Sequence, residues 1–165
     1  GREQVTMSEI GVASGRTSSF LLYHVPQLQL ILADLFRKPM VLDTVKSRTM
    51  PWESQVTILA SDSAKAAAKL PDGLLCDLVF IDGNHSLKGC ARDTAAWWPR
   101  VRPGGLMVWH DFFATAKNWG VRQCVEEFSA AISVPFSTEK TVALRWCPED
   151  KPQFPESLKQ WRECI

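Results

Sequence analysis

No apolar run in this chain approaches the roughly 20 residues that cross a bilayer. The opening Gly1-Arg2-Glu3-Gln4 lacks the apolar core of a signal peptide. An excess of one charge is missing too. Against 18 Asp and Glu stand 19 Lys and Arg, a formal net charge of +1. That gives no basis for nucleic acid or an anionic membrane as partner. The five cysteines (Cys76, Cys90, Cys124, Cys147, Cys164) are odd in number and show no C-x-x-C spacing. This argues against a disulfide framework or a zinc site and points to a reducing, cytoplasmic compartment. Internal repeats and linkers are absent as well. What remains, at 165 residues with 45% hydrophobic and 22% charged composition, is one globular domain with a real core.

The chain then alternates short apolar runs with helical stretches. Val5–Ile10 reads as a strand running into Gly11-Val12-Ala13-Ser14-Gly15, and Ser18–His24 as the helix that follows. Leu28–Ala33 is a second strand ending at Asp34, and Pro39–Met50 a helix closed by Pro51. Val56–Ala60 is a third strand. Asp62 or Ser63 can cap the alanine-rich helix Ala64–Leu70, and Pro71-Asp72-Gly73 turns the chain. Cys76–Ile81 reads as a fully buried strand, Leu87–Val101 as a helix, and Pro103-Gly104-Gly105 as its breaker. Leu106–Trp109 is the fifth strand, Phe112–Asn118 a loop, and Gly120–Ile132 a helix with Val121, Cys124, Val125 and Phe128 on one face. Val134–Phe136 and Thr141–Cys147 suggest a closing pair of strands, and Glu156–Glu163 a short tail helix. Five strand-then-helix repeats and a hairpin indicate a doubly wound α/β sheet, mostly parallel.

In such sheets ligands sit outside the carboxyl ends of the strands. The first strand delivers a glycine turn and a helix N-terminus, a generic nucleotide cradle. Ala13 and Arg16 occupy positions where the dinucleotide pattern needs glycine, so a smaller nucleoside-type ligand is favoured over a pyrophosphate. Asp34, 23 residues after Gly11, stands near the spacing at which an acid meets a ribose hydroxyl. Asp82 and His85 close the fourth strand, and His110-Asp111 the fifth. Trp97 and Trp98 read as packing, and His24 as a surface or core residue. The sequon Asn84-His85-Ser86 is discounted without a secretion signal.

Glu9 through Ser18, Asp34, Ser61-Asp62-Ser63, Asp82-Gly83-Asn84-His85-Ser86, Trp97-Trp98-Pro99, Arg102-Pro103-Gly104-Gly105, His110-Asp111 and Gly120-Val121 follow one another in an order that resembles the class I S-adenosylmethionine-dependent methyltransferases. Within them the chain is most similar to the metal-dependent O-methyltransferases of macrolide sugars, a group that also resembles proteins named as cephalosporin hydroxylases. The resemblance spans about residues 5–147. It implies a methyltransferase domain over 1–147 with 148–165 as its tail, and a seven-stranded Rossmann-like sheet in the order 3-2-1-4-5-7-6 with helices on both faces.

The site roles follow from the same resemblance. Gly11, Ala13, Ser14 and Gly15 would pack against the amino-acid part of S-adenosylmethionine, with Glu9 beneath them and Ser18 alongside. Asp34 would meet the ribose, and Ser61, Asp62 and Ser63 the adenine. Asp82, itself beside the cofactor, would join His110 and Asp111 in holding Mg²⁺ or Mn²⁺, and His85 would be the general base. His110 stands where relatives more often carry an acid, which would suit an ion that accepts imidazole nitrogen. The acceptor would be a small hydroxylated molecule. Ten residues precede Gly11, fewer than the lid-bearing relatives have, so the resemblance implies an open site or one covered by a second copy of the chain. Two alternatives stay open: an iron-dependent hydroxylase using two histidines and a carboxylate, and a non-catalytic cofactor-binding domain.

Overall fold

The computed structural model describes residues 4–117 and 119–162. Strands Val5–Ile10 (β1), Leu28–Asp34 (β2), Val56–Ala60 (β3), Cys76–Ile81 (β4) and Val101–Trp109 (β5) alternate with helices. These are Arg16–His24 (α1), Pro39–Thr49 (α2), Ser63–Lys69 (α3), Leu87–Trp97 (α4) and Val121–Ala131 (α5). Ser137–Glu139 (β6) and Val142–Trp146 (β7) form a closing hairpin, and Lys159–Arg162 (α6) ends the described chain. The sheet order is β3-β2-β1-β4-β5-β7-β6, as the family resemblance implied. The first five strands are parallel, and β7 is antiparallel to both of its neighbours.

The period-2 alternation of a strand sets which residues face which layer. In β2, Leu28, Leu30 and Leu32 point to one face, where Leu22 of α1 and Val45 of α2 cover them. Ile31 and Ala33 point to the other, into the core cluster that includes Ala66 and Ala67 of α3. Trp97, Trp98 and Trp109 are fully buried in this second layer. Each large side chain removed from water contributes about 1.5–3 kcal/mol. The tail joins the same layer through Phe154, Leu158 and Trp161.

Five boundaries differ from the sequence expectation. Pro103-Gly104-Gly105 does not precede β5 but lies inside it. Cys76 pairs with Val101, Leu78 with Leu106, and the residues between form a bulge that proline and glycine suit. The helix before it stops at Trp97 and continues as one 3-10 turn, Trp98–Arg100. Pro51 does not end the second helical stretch, which runs on as a 3-10 segment Met50–Gln55 with Trp52 out of helical geometry. The penultimate strand is Ser137–Glu139 rather than Val134–Phe136. A two-residue turn at Lys140, φ 52°, pairs Glu139 with Val142, and Phe136 packs on Phe112 instead. Of the expected tail helix, Glu156–Leu158 is 3-10 and Lys159–Arg162 α-helical, while Glu163 lies outside the described residues. Asn118 and Cys164 lie outside them too. The remaining four cysteines are buried free thiols. Among the described residues no helix is long and apolar enough to cross a membrane.

Candidate active site

The carboxyl ends of β1 to β5 open into one cleft of about 620 Å³. Gly11, Ala13, Asp34, Ser61, Asp62, Ser63, Asp82, His85, His110 and Asp111 all line it, so most of the expected site residues share one cavity. Glu9, Ser14, Gly15 and Ser18 are not among its lining residues. They sit one layer back and shape the turn.

The turn is a run of left-handed residues, Gly11 (φ 86°), Ala13 (φ 47°) and Gly15 (φ 73°), with Gly15 opening α1. Asp34 holds it in place. Its Oδ2 accepts from the backbone N–H groups of Val12 (2.8 Å) and Ala13 (3.2 Å), and its Oδ1 from that of Phe36 (2.9 Å). Below the turn, the Ser18 hydroxyl donates to Glu9 Oε2 at 2.5 Å. Burial pushes the Glu9 carboxyl up to about 7; the Ser18 bond opposes this and the charges of Asp82 and Asp34 reinforce it. Ser14 is tied through its carbonyl to the Arg48 guanidinium.

At the far side, Asp62 rather than Ser63 caps α3, accepting from the N–H groups of Ala64 (3.2 Å) and Lys65 (3.4 Å). Arg92 grips the same carboxylate with both terminal nitrogens at 2.6 and 2.5 Å. Partial burial works against ionisation of Asp62, but Arg92 and the two backbone donors outweigh it and hold the carboxyl below its ordinary range. Asp93 lies deeper, its Oδ2 beneath Gly83. Burial raises it to about 6 against a hydrogen bond with Ser63 and the pull of Arg92. Neither Arg92 nor Asp93 is singled out by the sequence reading. The available signal was a carboxylate on the apolar stripe of α4, three residues after Cys90 and four before Trp97.

The centre of the cleft is where β4 and β5 end. The Asp82 N–H donates to the Ile10 carbonyl and the His110 N–H to that of Ile81, at 2.8 and 2.9 Å, which sets the three strand ends flush. His85 Nε2 lies 3.4 Å from Asp82 Oδ1 and 3.0 Å from Asp111 Oδ2. His110 Nδ1 lies 3.3 and 3.1 Å from the same two oxygens. In an extended strand His110 and Asp111 would face opposite sides. Asp111 instead adopts φ 59°, a left-handed conformation that aspartate adopts more readily than most non-glycine residues, and both side chains reach the same point.

The rest of the loop is fixed by close packing. His85 stacks on Trp119 with ring centroids 4.2 Å apart, and its carbonyl accepts from the Gly120 N–H at 2.8 Å. A Cβ at Gly120 would lie 2.5 Å from that of Leu87. Asn84-His85-Ser86 is a capping turn: Asn84 Oδ1 accepts from the Ser86 N–H, and Ser86 Oγ from the Gly89 N–H.

The donor set fits a divalent cation. Asp82, His85 and Asp111 offer ligand atoms all within 4.8 Å of one another. Burial raises the Asp82 carboxyl, the two histidines oppose this, and the Asp111 charge adds to it. His85 Nε2 and His110 Nδ1 are buried nitrogens with no hydrogen-bond partner. They approach the carboxylates closely but not in line, which leaves one ring nitrogen to complete a cation site with the carboxylates and the other to accept a proton.

An open sheet in this order, with a glycine turn on β1, an acid on β2 and paired acids after β4 and β5, is the class I methyltransferase fold. Residues 8–112 match the family model described as a methyltransferase domain. The chain belongs to that family and is an S-adenosylmethionine-dependent methyltransferase. No curated protein matches it in sequence. Solved structures resemble it at low identity. A Klebsiella pneumoniae protein assigned as an O-methyltransferase superposes with a TM-score of 0.71 at 18% identity, covering 86% of this chain and 72% of its own. The N-methyltransferase NodS from Bradyrhizobium japonicum gives 0.61 at 18%, over 86% and 84%. The MycE methyltransferase of mycinamycin biosynthesis, in complex with Mg and SAH, gives 0.65 at 21%, over 93% of this chain and 48% of its own. This chain therefore spans about half the length of MycE.

Proposed function

We propose that this protein transfers the methyl group of S-adenosylmethionine to a hydroxyl oxygen of a small molecule, with a divalent cation held by Asp82, His110 and Asp111. One observation carries the reading. Asp82 belongs to both halves of the cleft, its backbone against the Gly11 turn and its carboxylate within 4.8 Å of that of Asp111, with His85 beside both. The MycE structure, which contains Mg and SAH, supports the metal by likeness.

When bound, the cofactor supplies a methyl group activated by a sulfonium, and a divalent cation lowers the pKa of a hydroxyl it coordinates. The chain supplies position and a proton acceptor. Val12 and Ala13, tethered to Asp34, fix the turn against which the amino-acid end of the cofactor would lie. Asp34 lines the cleft where the ribose would lie, and Ser61 to Ser63 border the adenine side. Asp82 and Asp111 orient the acceptor oxygen toward the methyl group, and such alignment supplies much of the rate in group transfer. His85, its ring plane set by Trp119, takes the acceptor's proton at Nε2. The acceptor enters past Phe113 and Trp119, the exposed aromatics beside Asp111 and His85.

The test is thermal denaturation with S-adenosylhomocysteine, with and without Mg²⁺ or Mn²⁺. At a concentration of 100 Kd the ligand should stabilise the protein by about 2.7 kcal/mol. No rise in Tm at millimolar S-adenosylhomocysteine, under any metal condition, would sink the reading.

A further inference from the structure

His110 differs from the other donors of the cleft in being held from behind. Its Nε2 lies 3.4 Å from Thr141 Oγ1, in the turn of the β6–β7 hairpin. The same hairpin is anchored to the metal loop, because the Thr141 carbonyl accepts from the Phe112 N–H at 2.9 Å. The edge of the His110 ring packs on Phe80 with centroids 5.9 Å apart. A hydrogen bond to one imidazole nitrogen decides which nitrogen carries the proton. The Thr141 hydroxyl can accept from Nε2–H or donate to a bare Nε2; in the tautomer in which it accepts, the lone pair of Nδ1 is directed at Asp82 Oδ1 and Asp111 Oδ2.

A bare lone pair 3.1–3.3 Å from two carboxylate oxygens is repulsive unless a cation lies between them. These separations are those of neighbouring donors around one ion with bonds of about 2.0–2.2 Å. Backing a metal-bound histidine with a second hydrogen-bonding residue is the usual way its tautomer and ring plane are fixed. Mg²⁺ prefers oxygen donors, whereas imidazole suits first-row transition ions.

We infer that His110 ligates through Nδ1 with Thr141 as its positioning residue, and that the centre takes an imidazole-accepting transition ion such as Mn²⁺ or Zn²⁺ in preference to Mg²⁺. The inference rests on the proposal that Asp82 and Asp111 hold a divalent cation. Thr141 thereby makes the C-terminal hairpin part of the metal centre.

Most nitrogen and oxygen sites bind Zn²⁺ more tightly than Mg²⁺, so an affinity ranking alone is no test. The chain has three histidines, and nitrogen-15 NMR of their rings resolves each during a Zn²⁺ titration. His110 Nδ1 should shift to a metal-bound position with Nε2 protonated, while His24, on the exposed face of α1, stays in place. Thr141→Val should weaken Zn²⁺ binding about tenfold. His110→Glu should shift the Zn²⁺ to Mg²⁺ affinity ratio at least tenfold toward Mg²⁺, with the S-adenosylhomocysteine-induced rise in Tm showing that the fold is kept. Calorimetric Zn²⁺ binding without movement of the His110 resonance, or with His85 moving in its place, overturns the inference and leaves the methyltransferase proposal standing. Failure of every ion to bind while S-adenosylhomocysteine still stabilises the protein overturns both the inference and the metal part of that proposal.

Discussion

Gly11 and Asp82 touch so closely that a Cβ on the glycine would lie 2.2 Å from the Asp82 carbonyl oxygen. The glycine turn after β1 and the carboxylate after β4 are therefore one packed unit. The Asp82 N–H···O=C Ile10 bond at 2.8 Å ties the same two segments. Because the Asp82 carboxylate also lies in the cluster with His85 and Asp111, movement of the turn would move the proposed metal site.

Gly11→Ala tests that coupling. The added methyl meets backbone rather than a flexible side chain, and Gly11 has φ 86°, so strain adds to overpacking. A loss of about 2–4 kcal/mol is expected, read by urea denaturation. Metal affinity should fall along with cofactor affinity, although Gly11 is no ligand. Gly73→Ala is the control, since its φ of 79° carries similar backbone strain with nothing near its Cβ. Equal effects of the two substitutions on metal binding would refute the coupling.

Asp34 offers a second test. It accepts three backbone donors, and Asn can replace only one of its oxygens. Asp34→Asn should cost about 1.5–3 kcal/mol, the range for a hydrogen bond to a charged group. It should also lower S-adenosylhomocysteine affinity in calorimetry. Unchanged affinity would assign Asp34 to the turn alone.

Stability depends on pH through two buried carboxyl groups. The folded state raises Glu9 from 4.5 to about 7 and Asp93 from 3.8 to about 6, chiefly by burial. Each then binds its proton more tightly folded than unfolded, so its stabilisation is complete below the unfolded value and is lost as pH rises through the folded one. Stability should decline from about pH 4.5 to 7. Asp62 and Asp77 are held below the ordinary range by their partners despite partial burial, and they act at lower pH. Glu9→Gln keeps an acceptor for Ser18 and should remove a decline on the order of 3 kcal/mol. Parallel stability curves for wild type and variant would refute this.

The sheet could be read from the sequence because each strand carries its own period and each turn its own punctuation. Val5–Ile10, Leu28–Asp34 and Cys76–Ile81 needed no tertiary information. The errors fell where a distant partner decides. Val134–Phe136 has strand residues, but Phe136 is claimed by Phe112, and the turn at Lys140 moves the pairing to the polar Ser137–Glu139. Pro103-Gly104-Gly105 reads as a breaker because the β4 pairing that makes it a bulge lies 25 residues back. The site split in the same way. Asp34, Asp82, His85 and Asp111 announce themselves as polar residues at strand tips. Arg92 and Thr141 act through partners 30 and 31 residues away in sequence, and no local pattern marks them.

The non-catalytic reading and the enzyme reading part at His85. Its Nε2 faces the Asp82 and Asp111 oxygens, and it takes no part in the Gly11–Asp34 cradle. Removing a general base slows proton transfer by about 10²–10⁴-fold and leaves the cofactor pocket as it was. His85→Ala should therefore abolish most methyl transfer while the S-adenosylhomocysteine-induced rise in Tm stays within error of wild type. Losing the ring also removes the stack on Trp119, so His85→Gln, which retains bulk over the indole, separates position from basicity. Equal loss in both variants assigns His85 to proton transfer, and recovery in the glutamine variant assigns it to positioning. Unchanged turnover in both would take His85 out of the mechanism, whereas absence of methyl transfer by the wild type would favour the binding-domain reading.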